Sequence, residues 1–192
     1  MKVVAVSGSA RRGGNTAALL KAVFEPLNEA GHECELIELA GSEVRGCAAC
    51  GRCRDTRDSK CSGRDDLGNE VIAKLFAADA VILGSPTYFA DITPELKAII
   101  DRAGYVSRSK PELLSRKPGA AVVAARRAGA MHAFDSINHF FTITEMITVG
   151  SSYWNIGIGR EKGEVADDAE GLATMRRLGE NMAWLLERIR GG

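Results

Sequence analysis

The amino-acid sequence predicts an α/β fold, a parallel sheet covered by helices on both faces. Three observations carry this prediction. Short apolar runs alternate with longer segments of helical period along the chain. The first strand, residues 2–6, is apolar without interruption after Lys2, as a parallel strand buried on both faces should be. Helix punctuation falls between the runs where crossovers are needed, most clearly at Thr93-Pro94-Glu95: a threonine cap, proline in the first helical position and an acid in the first turn.

After the first strand, Leu20, Val23, Phe24 and Leu27 repeat at helical spacing and Gly31 ends the helix. Residues 33–39 form the second strand, whose glutamates alternate with Cys34, Leu36 and Ile37, the pattern of an exposed edge. Residues 40–64 lose all periodicity and read as one long cysteine-rich loop; a loop of this length in a compact domain is usually functional or disordered. Asp65 or Asp66 can cap a helix over residues 67–77, and residues 80–84 form the third strand. Leu96, Ile99, Ile100 and Ala103 mark the buried face of the next helix. A fourth strand spans residues 119–125, a helix runs from about 131 to 147, and a fifth strand covers about 149–158. The last helix, residues 167–189, carries Leu172, Met175, Met182, Leu186 and Ile189 as its core stripe. No internal repeat or linker is visible, so residues 1–192 are expected to form a single domain. Five strands with right-handed crossovers fit a flavodoxin-like three-layer sandwich of strand order 2-1-3-4-5. Ligands of such sheets lie at the carboxyl ends of the strands, which directs attention to the loops after strands one, three and four.

Bulk composition excludes several functions. Twenty-five basic and 25 acidic residues cancel, leaving no basic stripe for nucleic acid. The balance also speaks against a pure electron shuttle docking through a strongly acidic face. No apolar run reaches the roughly 20 residues of a membrane span. The apolar N-terminus lacks a signal-peptide pattern and reads as a strand, so a cytoplasmic protein is expected. His32 and His139 read as surface or helix-face residues. His132 is a weak candidate near the third of the three loops. Tyr153 and Trp154 end the fifth strand, where Trp154 could cover a ligand, meet a subunit or pack in the core.

The first loop, residues 7–16, concentrates Ser7, Ser9, Arg11, Arg12, Asn15 and Thr16 among glycines before a helix. Backbone N–H groups there can converge on an anion, and the helix dipole adds ~0.3–1 kcal/mol. The Gly-Lys-Ser/Thr of a nucleotide-triphosphate loop is missing, as is the Gly-x-Gly-x-x-Gly dinucleotide turn. The alternative is an ordinary polar turn. The second loop, residues 84–94, sets Tyr88 and Phe89 beside Pro86 and Thr87, suited to the rim of a flat ring; the alternative is that both aromatics plug the core.

Gly8-Ser9-x-Arg11-x-x-Gly14-Asn15-Thr16, paired with Ser85-Pro86-Thr87-Tyr88, resembles the NADPH-dependent FMN reductase family of flavodoxin-like proteins over nearly the whole chain. The resemblance implies FMN as cofactor. It assigns Ser9, Arg11, Gly14, Asn15 and Thr16 to the phosphate and Pro86, Thr87, Tyr88 and Phe89 to the isoalloxazine. The third loop, Ala125-Arg126-Arg127-Ala128-Gly129, lacks the Gly-Gly pair often found in the family. Arg126 or Arg127 could there stabilise an anionic reduced flavin, or form a solvated basic turn. A homodimer or homotetramer is also implied.

Cys47-x-x-Cys50-x-x-Cys53-x7-Cys61 resembles the compact cysteine motif of the iron-sulfur flavoprotein branch of that family. Four thiolates in one loop can hold a [4Fe–4S] cluster; zinc or free redox thiols are the alternatives. Cys34 lies apart and reads as a buried small apolar residue. The resulting expectation is an FMN-dependent oxidoreductase. It would pass electrons from NAD(P)H, through FMN and the cluster, to a small-molecule or protein acceptor. The alternatives are an electron carrier between ferredoxin and a partner protein, and a metal- or redox-sensing binding module.

Overall fold

In the computed structural model, which describes residues 1–190, the strands form one parallel sheet. Strands β1 (Lys2–Ser7), β2 (Glu33–Glu38), β3 (Ala80–Pro86) and β4 (Pro118–Ala125) lie in the order β2-β1-β3-β4. Beyond β4 come β5 (Ile147–Thr148) and β6 (Ile156–Ile158). Six strands therefore stand where the sequence suggested five, and the topology is flavodoxin-like. Strand β2 is the half-exposed edge its alternating glutamates indicated.

The expected fifth strand over residues 149–158 is the main correction. Val149 still donates to Gly119 O at 2.8 Å, but the chain then leaves the sheet until Val123 donates to Asn155 O at 2.9 Å. The buried Asn155 amide donates to Ala121 O at 2.9 Å, replacing the missing backbone donor. The bulge that this permits carries Tyr153 and Trp154 outward, edge to face at 4.7 Å, so neither packs in the core.

Helices α1 (Asn15–Glu29) and α6 (Ala169–Arg190) cover one face, and α3 (Leu67–Ala77), α4 (Pro94–Ser107) and α5 (Ala130–Ile143) the other. Leu20, Val23, Phe24 and Leu27 are buried against the first face as their spacing required. Asp66 caps α3 by accepting from Gly68 N at 2.9 Å, and Thr93 caps α4. Several boundaries move. The fourth of these helices ends at Ile143 because Ile147 joins the sheet. The last helix begins at Ala169 after a short 3-10 turn, and Ile189 is exposed because Leu186 is its last buried apolar side chain. The cysteine loop is not wholly irregular, since Arg52–Thr56 forms the short helix α2. His32 is buried rather than on the surface.

Candidate functional site

The carboxyl edge of the sheet brings the expected loops together. Ser7 is in register with Gly84, and Pro86 with Ala124, so the loops following β1, β3 and β4 leave the sheet side by side. Buried hydrogen bonds lock the first two. Gly8 N donates to Gly84 O at 2.8 Å, the Thr93 hydroxyl donates to Gly8 O at 2.8 Å, and Thr93 N donates to Ser85 Oγ at 3.1 Å. A Cβ on Gly8 would lie 2.7 Å from both Leu96 Cβ and Thr93 Oγ1, so this crossing admits only glycine.

A cavity of about 140 Å³ opens between these loops. Its walls include Ser9, Arg11, Asn15 and Thr16 from the first, and Pro86, Thr87 and Tyr88 from the second. Arg126 also contributes. Gly14 is the N-cap of α1 and offers no side chain to the orphan amides of the first turn. Thr16 Oγ1 and Thr87 Oγ1 are buried without a hydrogen-bond partner in the protein. Buried polar groups are normally satisfied, so uncapped amides and orphan hydroxyls from both loops of one cavity fit an anionic, oxygen-rich ligand.

Other candidates are placed differently. Asn15 lines the cavity, but its side chain is committed to the segment after β6: Nδ2 donates to Glu161 O at 2.9 Å and Oδ1 accepts from Gly163 N at 2.8 Å. Arg11 commits one guanidinium nitrogen to the same segment, Nη1 donating to Arg160 O at 3.2 Å. These bonds draw Gly159 and Arg160 into the cavity wall, two residues that sequence reasoning missed. The signal was available, since Gly159-Arg160-Glu161-Lys162-Gly163 is also a polar, glycine-bounded turn at a strand's carboxyl end.

Phe89 stands fully exposed at the tip of the second loop and lies outside the cavity. With Ala90 it occupies a two-residue turn in which both φ angles are positive, 48° and 66°, closed by mutual hydrogen bonds between Tyr88 and Asp91. Bulky residues in this conformation cost ~1–3 kcal/mol each and mark functional turns. Tyr88 and Phe89 are both exposed, which removes the core-plug alternative. The turn is braced from α5 by Ser136, whose hydroxyl donates to Asp91 Oδ1 at 2.8 Å, and by His132 at 3.5 Å. Burial pushes the Asp91 carboxyl up, but the Ile92 amide, Ser136 and His132 outweigh it and hold the group below its ordinary value. Arg127 lines a neighbouring cavity with Tyr153 and Trp154 instead.

The second candidate site is the cysteine loop. Cys47, Cys50, Cys53 and Cys61 line one small cavity closed by α4. Desolvation raises the Cys53 thiol, followed by the nearby Cys61 and Cys47, while a hydrogen bond from Arg52 lowers Cys50. Ala49 N donates to Cys47 Sγ at 3.4 Å. Among the described residues no three His, Cys, Asp or Glu side chains converge on a single point as one metal ion would need. All four thiols face one cavity, and an iron-sulfur cube takes one cysteine at each iron corner. Cys34 is apart from them; burial, then Glu33, pushes its thiol up to about 11, an unreactive group.

Sheet order and a polar cradle at the topological switch point define a flavodoxin-like protein. An archaeal flavodoxin structure superimposes with a TM-score of 0.64 at 18% identity, covering 97% of this chain and 99% of that one. The chain belongs to the NADPH-dependent FMN reductase family, whose model matches residues 1–161. It is similar to an iron-sulfur flavoprotein of Methanocaldococcus jannaschii, 36% identical over 99% of this chain and 100% of the relative. A second iron-sulfur flavoprotein, from Methanosarcina thermophila, is 34% identical over 98% and 97%. Among the described residues no helix is long and apolar enough to cross a membrane.

Proposed function

We propose that the chain is an FMN-dependent oxidoreductase that takes electrons from NAD(P)H and delivers them to a small-molecule or protein acceptor. The observation that carries this reading is the cradle at the carboxyl edge, with its uncapped helix mouth and the orphan hydroxyls of Thr16 and Thr87. Bound there, FMN would supply hydride acceptance and electron release singly or in pairs. The chain's own part is to bind and orient. Ser9, Thr16, the Arg11 guanidinium and the amides of Gly14 and Asn15 hold the phosphate. Pro86, Thr87 and Tyr88 bear on the ring, with Phe89 at the rim. Arg126 places a cation on the ring's side of the cavity and Arg127 extends that charge toward Trp154.

The four cysteines hold an iron-sulfur cluster in this reading, a one-electron relay supported by the cavity they share and by the similarity to iron-sulfur flavoproteins. The chain works as one FMN-binding domain carrying the cysteine loop as an insertion, in a reducing compartment such as the cytoplasm. Copies assemble as a homodimer or homotetramer, which light scattering measures. Anaerobic stopped-flow mixing with NADH and with NADPH tests the reaction. Bleaching of the flavin band by either supports it. No bleaching by both, with fast reduction by a reduced ferredoxin, would replace it with the carrier reading.

A further inference from the structure

Arg102 is the largest side chain wholly removed from solvent, and nothing in the flavin cradle uses it. Among the described residues it is the one charged side chain lining the cysteine cavity. Its Nη1 donates to Asp66 Oδ1 at 2.6 Å and to Arg45 O at 3.1 Å, and Nη2 to Asn69 Oδ1 at 3.3 Å. Asp66 Oδ2 accepts from Arg45 N at 3.0 Å, and Asn69 Oδ1 from Cys61 N at 3.1 Å. One guanidinium therefore ties both ends of the cysteine loop to α4. Its Nε has no partner in the protein.

A staple of this kind does not require a cation. A buried guanidinium carries a large desolvation cost, and a neutral amide could satisfy the Arg45 carbonyl. Asp66, its counter-charge, is absent from the described residues lining the cavity. The ion pair is thus asymmetric, with its positive member on the cavity wall and its negative member behind. A positive wall favours whatever adds negative charge inside the cavity, and low local dielectric strengthens the effect.

We propose that Arg102 is a positioning residue for the iron-sulfur cluster and raises its reduction potential, with Nε–H available as a donor to sulfur. This rests on reading the cysteine loop as a cluster site. Reduction adds one electron to the cluster, with no bond formed or broken and no proton moved; dithionite supplies that electron in the test.

Anaerobic holoprotein is titrated potentiometrically, with low-temperature EPR reporting the reduced cluster and iron and sulfide measured on the same samples. Arg102→Gln should lower the equilibrium constant for reduction at least tenfold, a fall of about 59 mV for one electron. Arg102→Lys, which keeps the charge but loses the fork, should fall less. Asp66→Asn strips the counter-charge from the cation and should shift the potential upward. Full iron with the equilibrium constants for reduction of all three variants within threefold of wild type would overturn the proposal and leave Arg102 a staple. If Arg102→Gln loses its iron, Asp66→Asn decides: an upward shift supports the proposal and no shift overturns it. Wild type purified without iron under anaerobic conditions would overturn the cluster reading and the proposal with it, whereas iron with flat potentials overturns the proposal alone.

Discussion

The flavin cradle and the cysteine loop are both polar stretches between apolar elements, yet they are held in opposite ways. The cradle is set by strand register, and its two halves are pinned by buried bonds around Gly8, Ser85 and Thr93. The cysteine loop runs from the end of β2 to Asp66 with only the short helix α2. Ala49, Arg57 and Ser59 in it adopt positive φ without being glycine. It is tied to α3 and α4 through Asp66, Asn69 and Arg102. A site built on strand ends exists before any ligand arrives, whereas in the proposed reading the cysteine loop takes much of its order from its cluster.

Four changes separate the two regions. The largest effect is expected from Cys47→Ser or Cys61→Ser: loss of essentially all iron and rapid proteolysis within residues 41–64, with FMN bound as in the wild type. Iron analysis, limited proteolysis and flavin absorbance measure this, and loss of flavin in step with iron would break the contrast. Next, Thr16→Val removes the buried, unpartnered hydroxyl assigned to the phosphate in the proposed reading. Hydrogen bonds to charged groups contribute ~1.5–3 kcal/mol, so FMN affinity should fall about 10–100-fold while riboflavin affinity changes little. Fluorescence quenching titrations read both.

Thr93→Val deletes the cap of α4 and the bond to Gly8 O, and should cost ~1–2 kcal/mol in denaturant unfolding with iron retained. The smallest effect concerns pH. Burial pushes Asp66 up, but the Arg45 amide and Arg102 together hold it below its ordinary 3.8. A carboxyl lowered in the folded state stabilises fully above its unfolded value and loses that contribution as pH falls through the folded one. Melting of wild type should therefore drop below about pH 4 more steeply than melting of Asp66→Asn.

The sheet order was legible because β1, β3 and β4 are built on unbroken apolar runs at residues 3–6, 80–84 and 119–125, which leave few alternatives to a buried parallel strand. The split of the last strand was hidden. Val149, Tyr153, Trp154, Ile156 and Ile158 are strand-forming residues, and only a side-chain amide, that of Asn155, repairs the ladder where the backbone departs. Gly159 and Arg160 were missed for a different reason: they follow the last strand, and ligands were expected only at the loops after strands one, three and four. Arg11 and Asn15, expected at the phosphate, do line the cavity, but spacing could not reveal that their side chains reach residues about 150 positions away. Arg102 gave no local signal at all. It is an arginine at a helical position next to apolar neighbours, and its meaning appears only when α4 meets the cysteine loop.

The most direct test is titration of the flavin-free protein with FMN and with riboflavin, followed by fluorescence. The account predicts saturable one-to-one binding of FMN at least 100-fold tighter than riboflavin, reduced in Thr16→Val. Equal affinity for the two flavins, or FMN binding unaffected by that substitution, would contradict a phosphate held at the mouth of α1.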